Sequence, residues 1–211
     1  MNETVKKTVT AAKILGLFSL LGLGLVALTF NQTKEKISQN ERDALLKSLR
    51  AVVSSSLYNN DIANDKIQVT GLNPGAARET TIYRARDNGE PVAAVITALA
   101  PDGYNGNISL LVGILADGTL SGVRVVSHKE TPGLGDSIET DRSNWILSFD
   151  GKSLAGLTDK QWAVKRDGGV FDQFTGATIT PRAVVKSVKN ALLYFQQHKV
   201  EIFSNTEPAE E

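Results

Sequence analysis

Three hydrophobic rhythms follow one another along this chain. From Ile14 to Phe30 apolar residues run without a single charge (ILGLFSLLGLGLVALTF). At ~1.5 Å of rise per residue a helix over this run nearly spans a hydrocarbon core of ~30 Å, and Lys13 can snorkel at one end. From Lys34 to Leu57 the apolar positions thin to a helical period. Leu45, Leu49, Val52 and Val53 form one stripe, with Arg42, Lys47 and Arg50 placed elsewhere and Asn59-Asn60-Asp61 closing the stretch. The rhythm then becomes alternating. Thr81–Arg86 passes through Asp87-Asn88-Gly89 into Pro91–Leu99, and Ile108–Leu115 and Leu120–Val126 flank a second turn at Ala116-Asp117-Gly118. A last helical pattern runs from about Pro181 to His198, with Val184, Val185, Val188, Leu192 and Phe195 on one face and Arg182, Lys186 and Lys189 opposite.

These rhythms predict an α+β chain: one N-terminal transmembrane helix, then a largely antiparallel sheet with packed helices. The expected order is a cytoplasmic stub (1–12), a transmembrane anchor (13–33), a connecting helix (34–60), a folded domain (61–204) and a disordered acidic tail (205–211). Lys6 and Lys7 would also suit the basic start of a signal peptide. The apolar run is long for that role, however, and no Ala-x-Ala site follows it, so an uncleaved anchor is the better reading. Lys6, Lys7 and Lys13 precede the span while Lys34, Lys36 and Arg42 follow it, which leans only weakly towards an external C-terminal domain.

Composition narrows the chemistry. The 23 basic residues balance 23 acidic ones, so no nucleic-acid footprint is indicated. There is no cysteine, which excludes a disulfide framework, a thiolate zinc site and a cysteine-ligated iron–sulfur cluster. The two histidines, His128 and His198, lie far apart, and the acids around His128 (Glu130, Asp136, Glu139, Asp141) show no metal-ligand spacing; no metal site is expected. No Gly-x-Gly-x-x-Gly follows a strand, so no nicotinamide site is expected either. If the chain moves electrons, an organic cofactor must carry them. Trp145 and Trp162 read as core or rim aromatics.

The most informative string is Asp172-Gln173-Phe174-Thr175-Gly176-Ala177-Thr178, immediately before Thr180-Pro181. Threonine is a good N-cap and proline suits the first helical position, so a helix is expected to start there. A small turn at a helix N-terminus offers free N–H groups and the positive end of the helix dipole, which suits a phosphate. Two glycine-rich loops precede it, Asp102-Gly103-Tyr104-Asn105-Gly106 and His128-Lys129-Glu130-Thr131-Pro132-Gly133-Leu134-Gly135. The first reads as a tight turn with Tyr104 capping the core; the second reads as a turn, or as a place where a missing Cβ lets backbone approach a planar ligand with Leu134 against its face.

Taken together these strings resemble the FMN-binding domain family. Asp-x-x-[Ser/Thr]-Gly-Ala-Thr is similar to that family's flavinylation motif, and Gly-Tyr-x-Gly and Glu-Thr-Pro-Gly-Leu-Gly segments precede it there in the same order. The resemblance implies FMN joined to Thr178 through a phosphoester, with Asp172, Thr175, Gly176 and Ala177 completing the motif. Gly103, Tyr104, Glu130, Thr131, Gly133, Leu134 and Gly135 are implied as further cofactor-binding residues. No residue is implied as a catalytic acid or base, and Thr178 is a tether. The resemblance covers nearly the whole chain. It points to the anchored flavoprotein (the G component) of Rnf-type ion-translocating electron transport complexes. The alternative is its generally longer counterpart, the C component of the sodium-translocating NADH:quinone reductase. The resemblance further implies a single-pass protein of the bacterial inner membrane with its FMN domain on the periplasmic side. The implied partners are other redox subunits, membrane lipid and a flavin transferase for maturation, and electron flow is coupled to Na+ or H+ transport by the complex. Without the motifs, a cofactor-free anchored interaction domain would show the same patterns, and a hydrolase using Thr178 or Glu130 lacks a neighbouring base.

Overall fold

The computed structural model describes residues 3–72 and 79–204. The chain divides into two units, residues 1–44 and 45–211; the proposed acidic tail lies outside the described residues. The described residues of the first unit are all helical, as the N-terminal part of α1 (Glu3–Arg50). Its side chains point outward on every side: Leu15, Phe18 and Leu20 are exposed by 70% or more, and none of its most apolar window is buried by protein. A helix apolar on all faces needs an apolar medium around it. Its threonines fit such a medium, because their hydroxyls donate back to the carbonyl four residues earlier, Thr29 to Leu25 at 2.9 Å and Thr33 to Thr29 at 2.8 Å.

The second unit begins with the last turn of α1 and is built on a five-stranded antiparallel sheet: β1 (Lys66–Val69), β2 (Thr80–Asp87), β3 (Glu90–Gly103), β4 (Gly106–Leu115) and β5 (Leu120–Ser127), in sequence order across the sheet. The two hairpins read from the sequence are present, and the Asp102–Gly106 turn joins β3 to β4 in a third; Asn88 and Gly89 both take positive φ (51° and 87°), which matches the right-handed twist of the strands they join. Only β1 escaped the pattern, because four residues with burial on alternate positions make too short a signal at a sheet edge.

Both faces of the sheet are covered. Ile82, Ile96, Ile108, Leu110, Val112 and Ile114 meet Val184, Val188, Leu192 and Phe195 of α2 (Ile179–Phe203). On the other face Tyr83, Ala85, Ala93, Val95 and Leu111 meet Leu49, Val52, Val53 and Ile62. Coverage on two sides explains why β3 and β4 read as nearly continuous apolar runs.

Two helix C-termini differ from the sequence expectation. The apolar stripe suggested helix to Leu57, but α1 stops at Arg50 and a short 3-10 turn follows at Ser55–Leu57. Val52 and Val53 enter the core from the turn between them. The Val52 carbonyl accepts a hydrogen bond from Ser121 Oγ at 2.6 Å, and its backbone rests on paired Gly113 and Gly122, where a Cβ would come within 2.7 and 3.1 Å of it. At the other end of the chain α2 continues past His198 to Phe203. Its last carbonyls are capped by arginines from β2: Arg86 donates to Phe203 O at 3.0 Å and Arg84 to Ser204 O at 3.0 Å. Asp65 holds both guanidiniums, at 2.5 Å from Arg84 Nε and 3.0 Å from Arg86 Nε. Positive charge at a helix C-terminus favours the extension.

Candidate functional site

The three strings singled out in the sequence meet at the N-terminus of α2. A cavity of about 270 Å³ opens there, lined by the β3–β4 turn, the loop after β5 and residues 176–180. Of the residues expected to bind cofactor, Tyr104, Glu130, Thr131, Leu134, Gly135, Gly176, Ala177 and Thr178 line it. Gly103, Gly133, Asp172 and Thr175 do not. Ile179 and Thr180 line the cavity as well, and no motif marks them as site residues. The sequence suggests Thr180 as the helix cap, but the helix begins at Ile179 with Thr178 at the cap, which places Thr180 and Pro181 inside the first turn. Proline is tolerated there because first-turn N–H groups have no partner within the helix.

The motif holds its shape from below. Phe174–Ala177 is a tight turn closed by Ala177 N–H to Phe174 O at 3.2 Å, with Gly176 at φ 81°. A positive φ at the third position only is the demand of a type II turn, and it selects glycine there. Leu134 lies over this glycine, 3.5 Å from where a Cβ would stand. Trp145, 9% exposed, donates its indole N–H to the Asp172 carbonyl at 2.7 Å and packs edge-on against Phe174 at 5.1 Å between centroids. Trp145 and Trp162 are both buried in the core. The Asp172 carboxylate itself pairs with Lys165 at the surface, at 2.6 Å.

Glu130 is 4% exposed, and its carboxylate is engaged by protein donors. The backbone N–H groups of Tyr104 and Asn105 donate to it at 3.2 and 3.0 Å, and the Thr180 hydroxyl donates to Oε2. Its neighbours are also spoken for. The Glu130 N–H donates to His128 Nδ1 at 3.0 Å, so the ring proton sits on Nε2, which donates to Glu139 at 2.9 Å. Buried Asp136 faces Arg142 at 3.4 Å.

Two properties of the cavity bear on what it can hold. Its rim is apolar and exposed, with Tyr104 at 65%, Ile179 at 45% and Leu134 at 43%. Among the described residues its lining contains no lysine or arginine, and its one charged side chain is Glu130. A phosphate here would rest on the N–H groups and dipole of α2 rather than on cationic side chains. The Thr178 hydroxyl makes no capping hydrogen bond and is half-buried at the cavity wall. FMN fits this arrangement: an apolar, glycine-floored slot for a planar ring beside a helix N-terminus for its phosphate. The volume is slightly below the ~300–1,000 Å³ of pockets that enclose a small molecule, so the ring would keep an exposed edge.

Comparison with known proteins agrees with this geometry. Residues 103–193 match the FMN-binding domain family, and residues 1–52 match the RnfG N-terminal region. Proteins described as the G component of the ion-translocating oxidoreductase complex are similar over most of their length. The one from Pseudoalteromonas atlantica is 51% identical over 90% of this chain and 89% of its own. That from Vibrio cholerae is 46% identical over 93% and 94%, and that from Pseudomonas aeruginosa 47% over 94% and 93%. With an apolar helix in front, an FMN-binding domain behind it and this degree of identity along nearly the whole chain, the protein belongs to the RnfG family, the G components of ion-translocating oxidoreductase complexes.

Proposed function

We propose that this protein is a membrane-anchored flavoprotein subunit of an ion-translocating oxidoreductase complex, carrying electrons on FMN bound covalently to Thr178. FMN, when bound, supplies the capacity to take up and release electrons one at a time. The first turn of α2 would hold its phosphate end, and Leu134 and Tyr104 at the cavity rim would offer apolar surface to its ring. Covalent attachment keeps the cofactor at high local concentration where it must meet those partners.

The observation that carries the covalent reading is the free Thr178 hydroxyl in a site without cationic side chains. A phosphate monoester with second pKa of about 6 carries close to two negative charges at neutral pH, and a diester carries one. A site that offers backbone N–H groups, with the Glu130 carboxylate close by, suits the diester better. The absence of ionisable residues between Ile14 and Phe30 supports a passive anchor, with the Na+ or H+ pathway residing in partner subunits. In this reading the span crosses the bacterial inner membrane once, the FMN domain is periplasmic, and a flavin transferase matures the chain.

The test is intact mass and peptide mapping of the full chain extracted from membranes after co-expression with a flavin transferase. A gain equal to FMN less water on the peptide containing Thr178 is expected. Thr178→Ala is expected to remain folded and membrane-bound and to show no flavin fluorescence in a denaturing gel. An unmodified wild-type peptide, with the transferase active on a control substrate, would overturn the proposal.

A further inference from the structure

Thr178 occupies the cap position of α2 but does no capping. Its backbone is already helical (φ −76°, ψ −24°), and its side chain makes no hydrogen bond to the first turn. A capping threonine has extended backbone and gives its oxygen to the N–H of the second or third helical residue. The hydroxyl at work in this turn belongs to Thr180, which is fully buried and donates to Glu130 Oε2. The same carboxylate receives the Tyr104 and Asn105 N–H groups, so one side chain joins the β3–β4 turn, the loop after β5 and the start of α2. Two glycines make room for it. A Cβ on Gly103 would lie 3.0 Å from Glu130 Oε1, and one on Gly135 would lie 3.1 Å from Oε2 and 2.9 Å from Thr180 Oγ1.

We propose that Glu130 is a positioning residue for flavin attachment: by taking the Thr180 hydroxyl it fixes the first turn of α2 so that Thr178 Oγ1 stays uncommitted at the cavity. The inference rests on the reading of Thr178 as the attachment site. In the attachment step Thr178 Oγ1 forms a bond to the FMN phosphorus of a flavin dinucleotide. The phosphoanhydride P–O bond breaks, a nucleoside monophosphate leaves, the threonine proton passes to a base of the transferase, and no electrons are exchanged. A Thr178 that turned inward to cap the helix would spend an oxygen lone pair on a backbone N–H and point away from the donor. Nucleophile misplacement of this order costs up to ~100-fold in rate.

The experiment uses the full-length chain in detergent, made without transferase, then given purified transferase and flavin dinucleotide. Initial rates of covalent flavin incorporation are measured against protein concentration. Thr180→Val keeps the shape and removes the donor; its kcat is expected to fall tenfold or more, with KM changed by less than about twofold. Thr180→Ser restores the donor and is expected to return kcat to within about threefold of wild type. A valine variant with wild-type kcat, or a serine variant as slow as the valine one, overturns the inference. Should Thr180→Val not fold, Glu130→Gln is read in its place. No orientation of an amide accepts all three donors, so the same fall in kcat is expected and an unchanged kcat overturns the inference. If wild type itself takes up no flavin while a control substrate does, the attachment reading fails rather than the role of Glu130.

Discussion

At the scale of single residues, the site is organised by what each side chain leaves free. Lys165, Arg166 and Arg182 stand near the motif in sequence, but none lines the cavity. Arg182 instead grips Asp167 with two hydrogen bonds, Nε to Oδ2 at 2.6 Å and Nη2 to Oδ1 at 2.7 Å. The hydrogen bond from Arg182, aided by its charge and that of Arg166, holds the Asp167 carboxyl below its ordinary 3.8. A depressed folded pKa means the pair stabilises the fold fully above 3.8, and the contribution disappears as pH falls through the lower folded value. Asp167→Asn is therefore expected to melt slightly below wild type at neutral pH, with the two midpoints converging below about pH 4. Thermal melts across pH 3–7 check this, and a constant gap over that range would contradict it. The pair is solvent-exposed, so the gap is expected to shrink in high salt as well.

Among the elements, α2 connects stability to site geometry. Its first turn forms the cavity wall and its last turn is held by Arg84 and Arg86 from β2. Asp65 sits between these two arginines, and all three side chains are at most 20% exposed. Asp65→Asn leaves two guanidiniums without a counter-charge in a mostly dry setting. The expected cost is about 2–4 kcal/mol, between the values for exposed and fully buried pairs. Chemical denaturation of the full chain in detergent measures it, and a loss within that of a surface substitution would show that the carbonyl contacts alone hold the arginines. The extension of α2 to Phe203 was not legible in the sequence, because its capping partners come from a strand more than a hundred positions earlier. The hairpins were legible, because each is written in contiguous turn residues.

For the whole molecule, the absence of cysteine makes orientation measurable without background. Val200 is 84% exposed on α2, and Thr4 is exposed near the amino terminus. With the folded domain outside, Val200→Cys is expected to react with a membrane-impermeant maleimide in spheroplasts and Thr4→Cys only after lysis. The reverse pattern would place the domain in the cytoplasm. The flanking charges of the span are too evenly divided to decide this from composition alone.

The sequence by itself determined the anchor, the α+β order, the sheet hairpins and the presence of the Gly-Tyr-Asn-Gly, Glu-Thr-Pro-Gly-Leu-Gly and Asp-Gln-Phe-Thr-Gly-Ala-Thr strings. Each of these is local information: an uninterrupted apolar run, a repeat period or a contiguous motif. Tertiary structure decided which members of the strings share one cavity, that Thr178 rather than Thr180 stands at the helix cap, and that the Glu130 carboxylate faces protein donors. Those outcomes depend on hydrogen bonds such as Thr180 to Glu130, between groups 50 positions apart. No periodicity along the chain encodes a pairing of that kind; it exists only once the β3–β4 turn, the loop after β5 and α2 have been packed together.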